Sequence, residues 1–552
     1  MIKYFLVNNA SRAAAYGIGT YIKQIAFCLR NSLPQYELSF LDIHSDVGDF
    51  SISKDEEDNL HYRIPSVRGD DNAIAYYRSI LFLLSPYVGE EEVVVFHFNY
   101  SLHFDLMRLV KAKYMFCRIV YTIHYFDWCF SLDGNLTRFR KLICDDDIED
   151  VMKENIRSNY QHDKRLLSIC DDVIVLSKFT YNLLRNEYKM DGSKLHLVYN
   201  GMYKDEKIIQ HSNVKGIQKE ILFVGRLDKI KGIEYIIKAS KMIIAHDKTI
   251  HLTLVGDGDF SRYLALCEGI WDNITFTGKL SKDNLEQFYH RATIGVQPSF
   301  HEQCSYSAIE MMAHGIPFIA TDSTGLGEMM DYTPECLVHI DEENFQPDEF
   351  VKQLADKMTA LIYNDQLREH SSLKLLQLFQ KRYCVDHMKN SIKKIFAAPT
   401  TKVGELSKDF MPYLDSEVIR LIARRPVLDM DYVGLTGIGC YLWWRIETLK
   451  GVKDKTELYT SMKLQENLIY YIDWLYDVIE EDGKNAFSSL FELSPLKWLL
   501  KGLKNAGFYK TRVEKTIKHI HALGVNLGID RNKYINKAEL MQTALKIYNL
   551  NL

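Results

Sequence analysis

The stretch Gln297–Met330 reads QPSFHEQCSYSAIEMMAHGIPFIATDSTGLGEMM and follows directly on the short apolar run Ile294–Val296. That run predicts a β-strand, and Phe318–Ala320 predicts the next one. Between the two runs, a Pro-Ser turn predicts a loop, and the pattern of apolar residues predicts a helix from Cys304 to Ala313. A strand, a loop, a helix and another strand in this order predict one unit of a parallel sheet covered by helices.

Apolar runs of strand length alternate with helical patterns along the rest of the first four hundred residues. In chain order the further runs are Lys3–Val7, Val93–Phe98, Ile119–Ile123, Asp172–Leu176, Ile221–Val224, Leu252–Val255 and Ile274–Thr277. This alternation predicts an α/β fold whose parallel sheets are buried on both faces. The polar stretch 204–219 predicts a linker. We therefore predict two doubly wound, Rossmann-like domains, 1–205 and 206–382, that face a cleft, and a helix in 383–399 that crosses back to the first domain.

The pattern changes after about residue 400, where strand signals end and apolar residues recur at helical spacing. One such set is Leu468, Ile472, Leu475 and Ile479. We predict an all-helical accessory or interaction domain over 400–552. Its basic run Lys497–His519 fits a helix whose apolar side faces the core, which we favour, or a helix that binds a membrane surface or an acidic partner.

Composition and charge argue against several classes of protein. The net charge of −5 disfavours broad nucleic-acid binding, which requires a basic surface. The ten cysteines include no CxxC pair and no Cys/His cluster, so neither a disulfide framework nor a structural zinc site is expected. No segment reaches the ~18 apolar residues of a membrane-spanning helix, and the first residues resemble a strand rather than a signal peptide. We expect a cytoplasmic protein and leave open a peripheral contact with the inner face of the membrane.

Two carboxylates in the opening stretch, Glu302 and Glu310, are candidate binding residues. Glu302 falls in the loop at the carboxyl edge of the sheet, where open parallel sheets bind their ligands. The backbone amides of Cys304, Ser305 and Tyr306 lie at the predicted start of the helix, a position that suits a diphosphate. Glu310 is then expected about two turns inside the helix, within reach of a ribose hydroxyl pair. The alternative is that both acids are solvated surface residues.

A second strand end in the same domain carries cations. The run Ile221–Val224 ends in Gly225 and Arg226, and Lys231 follows after a short turn. Gly225 permits a close approach of the backbone, and the two cations would neutralise a leaving diphosphate. Because two strand ends of opposite charge occur in one domain, we prefer a binding site to surface decoration.

The pattern Gly-Arg-Leu, then Lys-Gly, then Ser-Phe-x-Glu with a second Glu eight positions later resembles the retaining GT-B glycosyltransferases of family four, over roughly residues 1–395. The resemblance implies transfer of a sugar from a nucleotide-diphosphate donor with retention of anomeric configuration. It implies that Arg226 and Lys231 bind the donor diphosphate, that Glu302 contacts the donor sugar and that Glu310 binds the ribose. Gln303 stands where this family often has glycine.

The same resemblance implies roles for five residues whose sequence motifs are less specific. Gly256 and Thr277 belong to turns that are similar to the family's strand-end and base-binding segments. Gly17 and Gly19 match the family's glycine-rich loop, whose amides approach the phosphates or the sugar. His124, at the end of a strand, corresponds to a donor-sugar contact.

Three other features receive a structural interpretation. His97 also follows an apolar strand, but we favour a structural role for it. The turn Asn200-Gly201 matches the end of the first domain in this family. The acidic run Asp145–Asp147 is interpreted as a solvated loop, with contact to an acceptor as the alternative.

No metal-binding Asp-x-Asp triad of the GT-A type is found where a donor would bind. We therefore expect a metal-independent enzyme without a cofactor, in which Arg226, Lys231 and a helix N-terminus stabilise the leaving phosphate. In the third region, Gly434–Leu442 resembles a helix-opening motif of lanthionine-cyclase-like α/α proteins, whose zinc ligands are missing here, so we expect no cyclase activity.

Several alternatives stay open. The acceptor is a glycan, a lipid carrier, a protein or a peptide, and the helical domain binds a protein partner or a second copy of the chain. One rival function is a GT-B epimerase or phosphorylase, and the Glu302/Glu310 pair with Arg226 and Lys231 argues against both. The other is a catalytically silent nucleotide-sugar-binding scaffold that acts through the helical domain. Hydrolysis ranks low, because a glycosidase needs two carboxylates that flank the bond, whereas Glu302 and Glu310 share one domain beside phosphate-binding cations.

Overall fold

The structure is a computed structural model, and the residues it describes are 2–9, 17–67, 73–89, 92–114, 116–203, 219–397, 411–425, 435–451, 455–487 and 494–525. Of the predicted linker 204–219, only the last residue, Lys219, lies within these ranges. Gly434, the first residue of the motif in the third region, lies outside them.

The first domain is built around an eight-stranded sheet. Its elements are β1 Ile2–Asn9, α1 Gly17–Ser32, β2 Tyr36–Ser45, β3 Ser51–Lys54, β4 Leu60–Pro65, α2 Ala73–Leu84, β5 Val93–Phe98, α3 Phe104–Lys113, β6 Phe116–Ile123, α4 Asp127–Ser131, α5 Leu136–Cys144, α6 Lys153–Ile169, β7 Asp172–Val175, α7 Lys178–Asn186 and β8 Leu195–Leu197. The strand order is β3-β4-β2-β1-β5-β6-β7-β8, and every neighbouring pair is parallel except β3 with β4.

The second domain contains a six-stranded, wholly parallel sheet. Its elements are β9 Lys219–Val224, α8 Ile233–Ile244, β10 Ile250–Val255, α9 Ser261–Leu264, β11 Ile274–Gly278, α10 Lys282–Arg291, β12 Ile294–Gln297, α11 Tyr306–Ala313, β13 Phe318–Thr321, α12 Thr324–Met329, β14 Leu337–Val338, α13 Pro347–Tyr363, α14 Asp365–Leu378 and α15 Val385–Phe396. The order β11-β10-β9-β12-β13-β14 reverses direction at β9. A crevice at the carboxyl ends of β9 and β12 is the position where such sheets bind ligands.

Both faces of the first sheet are covered. Successive residues of β1 alternate between two apolar cores, with Phe5 and Val7 in one and Tyr4 and Leu6 in the other. Continuous apolar strands of this kind are typical of parallel sheets with helices on both faces. The predicted α/β class is thus confirmed.

Serine side chains begin three of the helices that follow strands or loops near the cleft. Ser177, Ser281 and Ser305 are the N-caps of α7, α10 and α11, and each hydroxyl accepts a hydrogen bond from the backbone N–H three residues later. Such a cap satisfies one of the free amides of the first turn and fixes where the helix begins.

Helix α15 returns from the second domain to the first. Its last residue, Phe396, packs edge-on against Tyr4 with ring centroids 5.4 Å apart. Arg118 lies over the Phe396 ring at 5.0 Å and donates a hydrogen bond of 3.2 Å to the carbonyl oxygen of Ile395. The end of the second domain is therefore anchored beneath the first sheet.

The described part of the third region is helical. Its helices are α16 Met411–Arg424, α17 Leu435–Thr448, α18 Lys455–Asp482, α19 Ser494–Asn505 and α20 Lys510–Ala522. Helix α18 buries Leu468, Ile472, Leu475 and Ile479, as their spacing predicted. The basic run 497–519 spans parts of α19 and α20, and its residues Leu499, Leu500 and Leu503 are buried, which agrees with the core-facing interpretation. Among the described helices, none is long and apolar enough to cross a membrane.

Candidate functional site

A cleft of about 640 Å³ lies between the two sheet domains. The second domain contributes the ends of β9, β10 and β12 and the start of α11 to its walls. The first domain contributes the start of α1 and the residues that follow β6. The carboxyl ends of strands from both sheets therefore face the same space.

Most of the candidate residues lie on this cleft. Those that line it are Gly17, His124, Gly225, Arg226, Lys231, Gly256, Glu302, Cys304, Ser305, Tyr306 and Glu310. The other two candidates, Gly19 and Thr277, are not among the residues that line it, and their roles stay predictions. Gly19 lies inside the first turn of α1, and the Thr277 hydroxyl donates a 2.8 Å hydrogen bond to the carbonyl oxygen of Gly278.

The cations of the second domain are already paired with carboxylates. The Lys231 ammonium forms a short ion pair with Oε1 of Glu302, and both side chains are largely buried. The Arg226 guanidinium lies 2.9 Å from Oδ2 of Asp228 and is one-third exposed. Because these ion pairs hold the two cations in place without a ligand, the charges are preorganised for an anion in the cleft.

Thr324, which the sequence analysis did not single out, holds the backbone of Glu302. The Thr324 hydroxyl accepts a 2.9 Å hydrogen bond from the Glu302 N–H and donates a 2.7 Å bond to the Glu302 carbonyl oxygen. Thr324 has a positive φ of 44°, which is rare for a β-branched residue and marks a local strain. The next residue must be glycine, because a Cβ at Gly325 would lie 1.8 Å from the carbonyl oxygen of Gln303.

Helix α11 points its N-terminus into the cleft. It begins at Tyr306 behind the Ser305 cap, two residues later than predicted, because the serine hydroxyl caps the chain there. The Asn200 amide donates a 2.7 Å hydrogen bond to the carbonyl oxygen of Cys304, so the turn before the helix is held from the first domain. The free amides of this first turn suit an anionic group.

Glu310 lies just over one turn inside α11, closer to the helix start than the two turns predicted. Its Oε2 accepts a 2.5 Å hydrogen bond from the Tyr289 hydroxyl, a partner that the sequence analysis missed. Burial raises the pKa of Glu310 above its ordinary range, and the Tyr289 hydrogen bond opposes that rise. The carboxyl group is thus fixed at the cleft wall with one oxygen bound.

Gly256 permits the ends of two neighbouring strands to touch. A Cβ at this position would lie 1.7 Å from the carbonyl oxygen of Gly225. The Gly256 N–H donates a 3.0 Å hydrogen bond to the carbonyl oxygen of Gly278, at the end of the next strand. Gly225 and Gly256, which both line the cleft, therefore contribute backbone without a side chain to its wall.

His124 follows β6 and faces the cleft, whereas His97 does not. Nε2 of His124 lies 3.1 Å from Oδ1 of Asn99, and the Asn99 amide nitrogen donates to the carbonyl oxygen of Val7. With the amide oriented in this way, Nε2 carries the proton and Nδ1 is the acceptor nitrogen. Burial lowers the pKa of His124 to about 3, so the ring is neutral near pH 7.

His97 is enclosed by protein groups. Its Nδ1 lies 2.8 Å from the Tyr4 hydroxyl and its Nε2 lies 2.7 Å from the Thr122 hydroxyl. Both ring nitrogens are occupied and the side chain is fully buried, so its role is structural, as favoured from the sequence.

The first domain adds an aromatic rim that no sequence motif indicated. Tyr125, Asp127 and Phe130 line the cleft. The rings of Tyr125 and Phe130 meet edge to face with centroids 5.5 Å apart, and Phe130 is 48% exposed. An exposed ring beside a carboxylate suits a ligand that carries both apolar faces and hydroxyl groups.

No group of three His, Cys, Asp or Glu side chains is arranged to hold a metal ion within the ranges that the structure describes. Asp146 of the acidic run 145–147 pairs with Arg157 at 2.7 Å, and the side chains of this run are exposed. The run therefore has the character of a solvated loop outside the cleft.

Glu328 of α12 joins the two domains and makes stability depend on pH. Its carboxylate accepts hydrogen bonds of 2.9 and 3.2 Å from the N–H of Lys178, at the start of α7. Burial raises the pKa of Glu328 to about 7, while the Lys178 N–H and the positive charge of Arg382 oppose that rise and Asp331 adds to it. Because the folded pKa lies above the unfolded one, the stabilising contribution is complete below the unfolded pKa and is lost as pH rises through about 7.

We therefore expect the free energy of unfolding of Glu328→Gln to fall less between pH 5 and pH 8 than that of the wild type. Urea denaturation at both pH values measures the difference, and the exposed Glu349→Gln serves as the control. Equal pH dependence in Glu328→Gln and the wild type would contradict the assignment.

The segment 218–364, which spans most of the second domain, matches the family model of the glycosyl transferases group 1. A segment of this chain is 33% identical over 175 residues to an uncharacterized glycosyltransferase of Methanocaldococcus jannaschii, and the match covers 29% of this chain and 44% of that protein. The chain spans about half the length of the curated relatives that it matches.

Solved structures extend the likeness to both sheet domains. Sucrose-phosphate synthase from Thermosynechococcus elongatus superposes with a TM-score of 0.57 at 17% identity, over 72% of this chain and 98% of that one. An Anabaena protein solved in complex with UDP-glucose superposes with a TM-score of 0.52 at 13% identity, over 72% and 99%. The chain therefore has the GT-B fold, and its second sheet domain matches the family of group 1 glycosyl transferases.

Proposed function

We propose that the protein is a retaining glycosyltransferase that moves a sugar from a nucleotide-diphosphate donor to a hydroxyl-bearing acceptor. The observation that carries this proposal is the convergence of Lys231, Arg226 and the N-terminus of α11 on one cleft, with Glu302 and Glu310 beside them. Cations and free amides suit a diphosphate, and the carboxylates suit the hydroxyl groups on either side of it.

The proposed roles follow from the position of each group. The donor diphosphate binds the amides at Ser305 and Tyr306, with Arg226 and Lys231 at its charged oxygens. Glu310 accepts hydrogen bonds from the ribose hydroxyls. Glu302 and Nδ1 of His124 accept hydrogen bonds from the transferred sugar.

The proposed reaction is a front-side displacement. The acceptor hydroxyl oxygen forms a bond to the anomeric carbon as the bond from that carbon to the phosphate oxygen breaks, on the same face of the sugar. The acceptor proton passes to the leaving phosphate oxygen, and the electron pair of the broken bond stays with the nucleoside diphosphate. Arg226, Lys231 and the α11 dipole stabilise that developing negative charge, and we propose that no metal ion is needed.

The acceptor is proposed to enter along the first domain. Tyr125, Asp127 and Phe130 line the cleft from the first domain, whereas the groups proposed to bind the diphosphate belong to the second, so these side chains stay available to an acceptor once the donor is bound. A glycan, a lipid carrier, a protein or a peptide all remain candidates for it.

Nucleotide release with a panel of UDP-, GDP- and ADP-sugars, combined with thermal shift, tests the proposal. A ligand that binds only the folded state raises its stability with concentration, so the shift identifies the base. Consumption of the same donor then identifies the activity, and it should persist in EDTA. Loss of activity in EDTA with recovery on added metal would contradict the metal-free reaction.

The alternative that the sequence left open is a catalytically silent scaffold that binds a nucleotide sugar and acts through its helical domain. The helices α16–α20 lie outside the two sheet domains, which fits an enzyme with an accessory domain equally well, and the relatives that the chain matches do not support the silent alternative. A donor that binds tightly but is not consumed with any acceptor would support the scaffold over the enzyme.

Truncation near residue 400 is expected to leave nucleotide affinity largely intact, because the residues that line the cleft lie between Gly17 and Glu310. Calorimetry on the truncated and full chains measures the affinity, while scattering and acceptor assays measure oligomeric state and acceptor use, which we expect to change. A soluble, monodisperse truncated chain that binds no nucleotide would show that the helices complete the donor site.

A further inference from the structure

The loop Phe300–Gln303, which carries Glu302, is held by the first domain from two sides. On one side, Sγ of Cys129 lies 3.3 Å from Nε2 of His301. The backbone of Gly134 approaches Phe300 so closely that a Cβ there would lie 2.5 Å from the Phe300 carbonyl oxygen.

On the other side, the loop meets the start of α7. The Gln303 carboxamide oxygen accepts a short hydrogen bond from the Thr180 hydroxyl and a second one of 3.3 Å from the Ser177 hydroxyl. Ser177 and Thr180 are fully buried, and Gln303 is only 4% exposed. Ser177 is also the N-cap of α7, so the partner of Gln303 is a rigid helix start.

Gln303 has a central position in this loop. It lies between Glu302, whose carboxylate faces the proposed sugar site, and Cys304, whose carbonyl oxygen is bound by Asn200 before α11 begins. The Gln303 amide nitrogen lies 3.3 Å from Nε2 of His301. Burial, together with the charge of Lys231, lowers the pKa of His301 to about 3, so that ring is neutral and can accept the bond.

We infer that Gln303 is a positioning residue for transfer: its carboxamide, bound by Thr180 and Ser177, brings Glu302 to its working position only when the two domains are docked. Thr324 fixes the Glu302 backbone within the second domain, and Gln303 ties the same loop to the first. Donor contact through Glu302 is thereby coupled to closure of the cleft, since a hydrogen bond between domains forms only when they meet. This inference rests on the proposed function for its effect on turnover, but not for the docking contact itself.

The experiment uses the full chain, four single variants and the double variant Gln303→Leu/Thr180→Val. Gln303→Leu and Thr180→Val each remove one side of the contact, and Thr180→Ser keeps the hydroxyl. Thr516→Val is the matched control, because Thr516 is also fully buried and its hydroxyl donates one 2.9 Å hydrogen bond, within α20.

Hydrogen exchange without any ligand tests the docking contact. The N–H groups of Phe300, Glu302 and Gly325 are bonded to Ile230, Thr324 and Glu302 respectively. We expect faster exchange in peptides that contain them, and in those at the start of α7, for Gln303→Leu and Thr180→Val. Thr180→Ser and Thr516→Val should match the wild type. Unchanged exchange in both Gln303→Leu and Thr180→Val would overturn the inference.

Steady-state kinetics with the donor found in the panel test the effect on transfer. We expect kcat to fall about tenfold in Gln303→Leu and in Thr180→Val, the scale of one lost buried hydrogen bond, with the Kd of the free nucleoside diphosphate changed less than about twofold. The double variant should be no slower than the slower single variant, because both remove the same contact. Additive losses, or equal losses of nucleotide affinity and kcat, would overturn the positioning role. If the wild type consumes no donor while exchange changes as expected, the proposed function fails and the docking contact stands.

Discussion

Replacement of Lys231 by alanine is expected to lower the rate of sugar transfer by at least ~100-fold, the scale of losing one preorganised charged donor at a leaving group. The ammonium is largely buried and bound to Glu302, so its removal leaves that carboxylate unpaired beside the diphosphate. The loss of attraction is then joined by repulsion between the unpaired carboxylate and the phosphate oxygens. Arg226→Ala should cause a loss of the same order, since its guanidinium lines the same wall.

Nucleotide release under saturating donor and acceptor measures both effects. Lys238→Ala is the control, because Lys238 pairs with Glu234 on the surface of α8, 3.0 Å away. Lys238→Ala is expected to keep the wild-type rate. If Lys231→Ala and Arg226→Ala also kept that rate, the diphosphate would have to bind elsewhere.

The second large effect separates the two carboxylates. Glu310→Ala is expected to weaken the free nucleotide and the donor alike by about 10-fold or more, because a hydrogen bond to a charged group contributes roughly 1.5–3 kcal/mol and the ribose is common to both ligands. Glu302→Ala is expected to spare the affinity for free nucleotide, because it removes a negative charge and leaves the Lys231 ammonium available to the diphosphate. It is expected to lower kcat by about 100-fold, because the proposed contact of the Glu302 carboxylate is with the transferred sugar.

Calorimetry with the nucleoside diphosphate and kinetics with the donor measure the two quantities. Glu310→Gln keeps an acceptor for the Tyr289 hydroxyl and so separates loss of charge from loss of that hydrogen bond. Equal losses of nucleotide affinity in Glu302→Ala and Glu310→Ala would contradict the division of roles.

Much of the fold was predictable because apolar runs are local features. Buried parallel strands such as β5 and β7 are almost continuously apolar, so each is visible without knowledge of its neighbours. The prediction missed the short strands β8 and β14 as well as β2, β3 and β4. Strand β2 carries the polar residues Glu37, Ser39 and Asp42 among its apolar ones, so its sequence lacks a continuous apolar run. The partner of Asp42 is His61 on the neighbouring strand, a contact that exists only once the sheet has formed.

The candidate site was predictable in the same limited sense. Arg226 and Glu302 each follow a strand, and the parallel sheet brings the carboxyl ends of its strands to one edge. Their local motifs therefore sufficed to place them together. Tyr289 and Thr324 were missed because no sequence motif surrounds either residue. Each affects the site only by a hydrogen bond, Tyr289 to the carboxylate of Glu310 and Thr324 to the backbone of Glu302.

The sequence by itself determined the alternation of strands and helices, the continuously apolar strands and the polar residues that stand at their ends, because these follow from residues that are neighbours along the chain. Only the tertiary structure gave the physical reason why His97 differs from His124. His97 lies inside β5 with protein hydroxyls at both ring nitrogens, whereas His124 follows β6 and lines the cleft. The tertiary structure alone brought Gln303 to Thr180, 123 residues earlier in the chain. Such pairings depend on how the two sheet domains pack against each other. The packing energy is spread over many side chains, so no single sequence motif indicates it.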